Sequence, residues 1–461
     1  MINKPKIIVL DDDPTGSQTV HSCLLLMRWD VETLRLGLRD ASPIFFILTN
    51  TRSLPKESAA SVTREVCHNL KQAIAEEGIN DFLVVSRSDS TLRGHYPIET
   101  DVIAEELGPF DAHFLVPAFF EGGRITCDSI HYLIIDGIPT PVHETEFARD
   151  SVFAYHHSYL PDYVEEKTQG RIKAESVIRF LLANIRVGSL DRLLRLHNNQ
   201  CGVVDGETQA DLNRFAVDIL TAASQGKRFL FRSAASILTA LAALPPQPIA
   251  AENMAEYVRG GKPGAVIVGS HVKKSTQQLE VLLQTEGTQG IEVNVSRLLD
   301  DKNDSSTQLL TETLQQVHAV HKAGKTPVVY TSRQELTFPD VKTRLEFGLK
   351  VSSLLMDVVK GLPIDIGFLI SKGGITSNDV LSTGLALTSA RLLGQILAGC
   401  SMVITPVDHP QFPNLPVVLF PGNVGNAEAL ATIYQRLTKE AGGRRQEAEG
   451  RHGEGRGEKR E

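Results

Sequence analysis

The chain has 461 residues and is 42% hydrophobic, 22% charged and 6% aromatic, with a formal net charge of −8. The length predicts more than one core, the balance is that of a globular α/β protein and excludes a disordered one, and the acidic total argues against a nucleic-acid partner. The five cysteines never stand in a Cys-x-x-Cys spacing and no apolar run nears the roughly 20 residues of a membrane span, so reduced thiols in a soluble cytoplasmic protein with no membrane partner are expected.

Strand-like apolar runs at Lys6–Leu10, Ile44–Thr49, Phe82–Ser86, Phe114–Pro117 and Arg228–Phe231 alternate with helical spacing over Glu57–Glu77 and Ala174–Asn184. Such alternation predicts crossover connections and a largely parallel sheet. Leu244-Pro245-Pro246-Gln247-Pro248 and Arg259-Gly260-Gly261-Lys262-Pro263-Gly264 break the pattern. A second alternation follows, with strands at Ala265–Val268, Pro327–Thr331, Ile366–Ile370 and Val417–Phe420. Its helices are expected at Thr276–Gln284, Ser306–Ala323, Leu345–Val359 and Asp379–Leu397. The predicted organisation is therefore two α/β domains, 1–242 and 265–441, each with a largely parallel sheet flanked by helices, joined by a linker at 243–264. The active site is expected in the cleft between them. The charged tail 442–461 has no large apolar residue and is expected to be disordered.

The chemistry-bearing loops follow the apolar runs. Asp11-Asp12-Asp13-Pro14-Thr15-Gly16 places carboxylates at the carboxyl edge of a sheet, where open α/β folds bind ligands. A solvated, capped Asp-Pro turn is the plainer account; Mg²⁺ binding, hydroxyl binding or a general base is the functional one. Ser86 to His95 crowds hydroxyls, Asp89, Arg87 and Arg93 into one loop, and a planar guanidinium suits a carboxylate ligand. Phe119-Phe120-Glu121-Gly122-Gly123-Arg124 adds a further arginine after a strand. The adjacent His156 and His157 have no third ligand near them in sequence and read as structural.

In the second half, Ser371-Lys372-Gly373-Gly374-Ile375-Thr376-Ser377 joins a strand to a helix through glycines that allow backbone N–H groups to approach an anion. It is not a Walker A loop, and no Gly-x-Gly-x-x-Gly follows a strand. Gly269-Ser270-His271 and Pro421-Gly422-Asn423-Val424-Gly425 are two further glycine turns at strand ends, and together the three turns point to a nucleotide cleft.

Across nearly the whole folded chain, the sequence resembles the four-carbon acid sugar kinase family, the ATP-dependent tetronate kinases. The match rests on Asp12–Gly16, Asp89-Ser90-Thr91-Leu92-Arg93-Gly94, Lys372-Gly373-Gly374-Ile375-Thr376-Ser377 and Pro421–Gly425. The resemblance implies ATP and Mg²⁺ as cofactors, a sugar acid bound by the N-terminal domain and a nucleotide bound by the C-terminal one. The implied reaction moves a γ-phosphoryl group to the C4 hydroxyl of a tetronate such as 3-oxo-tetronate, threonate or erythronate. By motif, Asp12, Asp13, Asp89, Arg93 and Arg124 would sit at the substrate, with Asp13 or Asp89 as the base. Ser270, Gly373, Gly374, Ile375, Thr376 and Gly422 would line the nucleotide. The chain departs from the family pattern at Asp11, where a small residue is usual, at Arg87, where Lys is frequent, and at His271-Val272, where the usual Gly-Ser-x-Ser is lost. Metal ligands and a homodimer are left undecided.

Two rival readings remain at this point. Ile7–Thr15 also fits the opening of haloacid-dehalogenase-like phosphatases, with Asp11 as nucleophile and Asp13 as acid/base, although no later Gly-Asp-x3-Asp element completes a metal site. A non-catalytic sensor of nucleotide and sugar acid is the other.

Overall fold

The computed structural model describes residues 5–299, 305–333, 336–422 and 424–439, so the tail 442–461 lies outside the described residues. Ile7–Leu10 form the strand Lys6–Asp11, every residue of which after Lys6 is buried. Ile7 and Val9 join one hydrophobic cluster and Ile8 and Leu10 another, which is the mark of a strand covered on both faces. Strands Ile44–Leu48 and Phe82–Arg87 flank it in parallel register. Helix Lys56–Glu77 covers one face and ends on Gly78 at φ 64°, a left-handed turn that glycine adopts without a Cβ clash.

The two alternations are not separate sheets. Fifteen strands form one continuous ladder in the order Thr288–Val293, Thr326–Thr331, Ala265–Val268, Leu369–Lys372, Pro416–Phe420, Cys400–Ile404, Ser389–Leu397, Leu24–Leu26, Ile44–Leu48, Lys6–Asp11, Phe82–Arg87, Phe229–Ser233, Ala112–Val116, Gln200–Val204 and Ile178–Phe180. Pairing within each half is parallel except around Cys400–Ile404 and Ser389–Leu397. Ser389–Leu397 runs antiparallel to both neighbours, Cys400–Ile404 and Leu24–Leu26, and so joins the halves. A small antiparallel sheet, Arg124–Cys127, Ile130–Ile135 and Ile138–Pro141, stands apart from the ladder.

Two expected helices are corrected by this arrangement. Over Asp379–Leu397 the chain forms a six-residue helix Gly374–Asp379, a π-turn Val380–Gly384 and then the joining strand. Register shifts at Leu392/Gly394 and Gln395/Leu397 interrupt the two-residue alternation there, so the apolar spacing imitates a helix. Over Ala174–Asn184 the chain forms a short turn, the strand Ile178–Phe180 and the start of helix Leu182–Val187. Between the halves, Gln247 is tied to the joining strand: its Nε2 donates to the Gln395 carbonyl at 3.1 Å and its Oε1 accepts from the Gln395 N–H at 3.0 Å. Among the described residues no helix is long and apolar enough to cross a membrane.

Candidate active site

The carboxyl ends of the central strands from both halves open on one cavity of about 960 Å³. From the first half it is lined by Asp13, Arg52, Arg87, Asp89, Arg93 and Arg124; from the second by Ser270, His271, Arg333, Gly373–Thr376 and Gly422. The loops singled out in the sequence therefore converge in space.

The three aspartates take three different positions. Asp11 is fully buried and holds Arg87 Nη1 at 3.1 Å. Burial, opposed by Arg87 but reinforced by the negative charges of Asp12 and Asp13, pushes its carboxyl up to about 7. The two departures from the family pattern at Asp11 and Arg87 thus form one ion pair beneath the loop. A nucleophilic role for Asp11 loses its physical basis, because the carboxylate does not reach the cavity. Asp12 is likewise almost fully buried: its Oδ1 lies 2.5 Å from Arg52 Nη2, and its Oδ2 accepts from Arg52 Nε at 3.2 Å and Ser88 Oγ at 2.7 Å. It stands behind Arg52 and acts by holding it.

Asp13 faces the cavity. Its Oδ1 accepts from the Thr15 N–H at 2.8 Å and from the Thr15 hydroxyl, while its Oδ2 lies 3.5 Å from Arg52 Nη1. Asp89 is more heavily engaged, its Oδ2 accepting from the Thr91 N–H, the Thr91 hydroxyl and Arg93 Nε at 2.9 Å. Burial would raise the Asp89 pKa, but the charges and hydrogen bonds of Arg93, Arg52 and Thr91 outweigh it and hold the carboxyl far below the usual carboxylate range.

Arg52 is a cavity residue that the sequence pattern did not single out. It lies within 4.0 Å of Asp12, Asp13 and Asp89, so one guanidinium organises all three carboxylates. A signal for it was present: Asn50-Thr51-Arg52-Ser53 is a polar turn directly after the buried strand Ile44–Leu48, the same pattern that drew attention to the other loops. Arg93 is anchored by Asp89 and Asp150 and lies over the Phe147 ring at 4.9 Å. Arg124 has no ion pair among the described residues. Its Nη1 donates to the Gly122 carbonyl, its guanidinium lies 6.0 Å from the Phe119 ring, and its buried Nε has no acceptor.

On the opposite wall, Gly373 has φ 118°, a value that L side chains rarely adopt, and its N–H donates to the Phe420 carbonyl at 2.8 Å. Lys372, just before it, is buried against the Phe420 ring at 4.0 Å and donates to the carbonyls of Pro421 at 2.5 Å and Gly422 at 3.3 Å. Burial pushes its ammonium down to about 7. Lys372 thereby ties the Gly373–Thr376 turn to the Pro421–Gly422 turn. Ser270 joins the same node: its Oγ accepts from Ser275 Oγ at 3.0 Å, and its Cβ lies 3.1 Å from where a Cβ on Gly373 would stand. The exposed Ile375 side chain lines the cavity at the tip of the turn.

The two walls meet at Gly374. A Cβ placed there would lie 3.2 Å from Asp13 Oδ2, so carboxylate and glycine turn face each other directly. Gly374→Ala is expected to leave thermal stability nearly unchanged and to lower kcat by about tenfold to a hundredfold, because about 1 Å of misplacement costs that much in a positioned reaction. Steady-state kinetics beside a thermal melt check this outcome.

No group of three or more His, Cys, Asp or Glu among the described residues forms a metal site. Mg²⁺ is commonly held by only one or two carboxylates together with substrate phosphates.

A family model described as a sugar-binding N-terminal domain matches residues 7–241, and one described as a nucleotide-binding C-terminal domain matches residues 265–430. A D-erythronate kinase from Heliobacterium modesticaldum (strain ATCC 51547 / Ice1) is 24% identical over 464 residues, covering 94% of this chain and 97% of that protein. A solved structure from Salmonella typhimurium LT2 shares the fold with a TM-score of 0.67 at 18% identity, covering 95% of this chain and 100% of that one. A second, from Haemophilus influenzae, does so with a TM-score of 0.60 at 16% identity, covering 93% and 100%.

Proposed function

Since the chain belongs to the four-carbon acid sugar kinase family, we propose that it transfers the γ-phosphoryl group of ATP to the C4 hydroxyl of a tetronate or 3-oxo-tetronate. The observation that carries this reading is the direct opposition of Asp13 and Gly374 across the cavity. Phosphoryl transfer asks a protein for alignment and charge neutralisation more than for covalent chemistry. Asp13 would accept the proton of the attacking hydroxyl while the Gly373–Thr376 turn, Ser270 and Gly422 hold the phosphates. Mg²⁺ would enter with the phosphates and neutralise part of their charge.

The substrate end is proposed at Arg124 and Arg93. A carboxylate is met bidentately by a planar guanidinium, and Arg124 is the better provided of the two because no described carboxylate occupies it. Asp89, held ionised by Arg93 and Arg52, would accept hydrogen bonds from substrate hydroxyls. At the other end, Val295, Leu336, Phe347, Val351, Leu355 and Met356 give the cavity an apolar wall suited to a nucleotide base.

A coupled assay of ADP release with ATP, Mg²⁺ and a set of C4 and C5 sugar acids tests the proposal. Turnover with at least one four-carbon acid is expected; ATP binding without turnover on any acid would favour the sensor reading and overturn this one. Arg124→Leu is expected to raise KM for the acid by about tenfold to a hundredfold and leave KM for ATP within about twofold, since it removes hydrogen bonds to a charged group. An equal rise in both constants would misplace the acid.

A further inference from the structure

We infer that Arg333 is a phosphate-holding residue of the nucleotide site, taking oxygens of the polyphosphate chain. This inference rests on the nucleotide reading of the second-half wall. Arg333 follows the strand Thr326–Thr331 at its carboxyl end and lines the cavity. Its Nη1 donates to the Ser270 carbonyl at 2.5 Å, which fixes the guanidinium to the same node as the turns at Gly373 and Gly422. Its Nε and Nη2 are buried and have no acceptor among the described residues. No described carboxylate lies within 4.0 Å of it, whereas Arg52, Arg87 and Arg93, which line the same cavity, are each paired with at least one aspartate.

Buried donors are nearly always satisfied in folded proteins, and an unpaired guanidinium is among the most costly to leave unsatisfied. Two free N–H directions on one rigid fork, beside three glycine-containing turns, call for a ligand with several adjacent anionic oxygens. A nucleoside polyphosphate has that chemistry, whereas a sugar acid carries a single carboxylate. The Tyr330 ring lies 6.0 Å from the guanidinium carbon and packs beside the fork. His271, hydrogen-bonded to Thr331 Oγ1 at 3.1 Å, has its pKa lowered by burial and by the Arg333 charge, so it stays neutral near pH 7 and leaves the anion to Arg333.

The test compares ADP and adenosine binding to the full chain by calorimetry, with Arg333→Met and Arg333→Lys beside the wild type and a thermal melt of each. Arg333→Met is expected to weaken ADP binding by about tenfold to a hundredfold, the worth of hydrogen bonds to a charged group, and to leave adenosine binding unchanged. Arg333→Lys keeps the charge but loses the fork, and is expected to recover part of the ADP affinity; it decides the matter if the Met variant fails to fold. Equal losses for ADP and adenosine, or unchanged ADP binding, would overturn the role of Arg333 while leaving the nucleotide site standing. A wild-type chain that binds neither ligand would overturn the nucleotide reading itself.

Discussion

Asp13→Asn is expected to lower kcat by about 10²- to 10⁴-fold, the usual range for loss of a positioned general base, with KM for acid and nucleotide changed only a few-fold. The fold should survive, because Asn retains an oxygen that accepts from the Thr15 N–H and hydroxyl as Asp13 Oδ1 does. The choice of Asp13 over Asp89 is an argument from engagement. Asp89 is held strongly ionised by Arg93, Arg52 and Thr91, so it gains little by taking a proton. Asp13 has one oxygen committed to Thr15 and the other turned towards Gly374 with only a long contact to Arg52. Rate measurements on Asp13→Asn and Asp89→Asn decide between them. A full-strength Asp13→Asn enzyme beside an inactive Asp89→Asn one would reverse the assignment.

Arg52→Met carries the largest expected loss of stability, about 3–5 kcal/mol, because it removes one partner of a buried ion pair and leaves the other charged. Asp12 is 1% exposed and would keep the Ser88 hydroxyl, with the charges of Arg232 and Arg87 as its remaining neighbours. Chemical denaturation at pH 7 measures the loss, and pH adds a second signature. Burial acts to raise the Asp12 pKa, but the Arg52 charge and hydrogen bond, with Arg232 and Arg87, bring it below its ordinary value; Asp89 is lowered in the same way. Carboxyls lowered in the folded state contribute stability that is complete above the unfolded value of about 3.9 and is lost as pH falls through the folded value. The wild type should therefore weaken on acidification through that window, and Arg52→Met should weaken less steeply. A variant as stable as the wild type at pH 7 would remove Arg52 from the centre of the site.

Much of the site was legible because an apolar run followed by a polar cluster is a local pattern. Asp13, Asp89, Ser270 and Gly373–Thr376 follow strands, Arg124 opens one, and all line the cavity. What local pattern does not carry is partner choice. Asp11 and Asp12 look equivalent to Asp13 in sequence, yet Arg87, opposite Asp11 on the neighbouring strand, and Arg52, from the turn after the other neighbouring strand, draw them out of the cavity. Arg52 and Arg333 each sit in an ordinary polar turn, and only the folded ladder brings them to carboxylates or to Ser270. The joining strand was hidden for a different reason: its bulges break the alternation by which strands are read, and its partner Leu24–Leu26 is only three residues long.

That three-residue partner has a consequence for how the protein is made. Leu24–Leu26 and its parallel neighbour Ile44–Leu48 leave the ribosome close together, but its other side waits for Ser389–Leu397, which is synthesised long afterwards. Until then the first half carries an open strand edge, the kind of surface on which nascent chains pair wrongly. The short length of that edge limits the exposure, and the late strand acts as the clasp that completes both halves together.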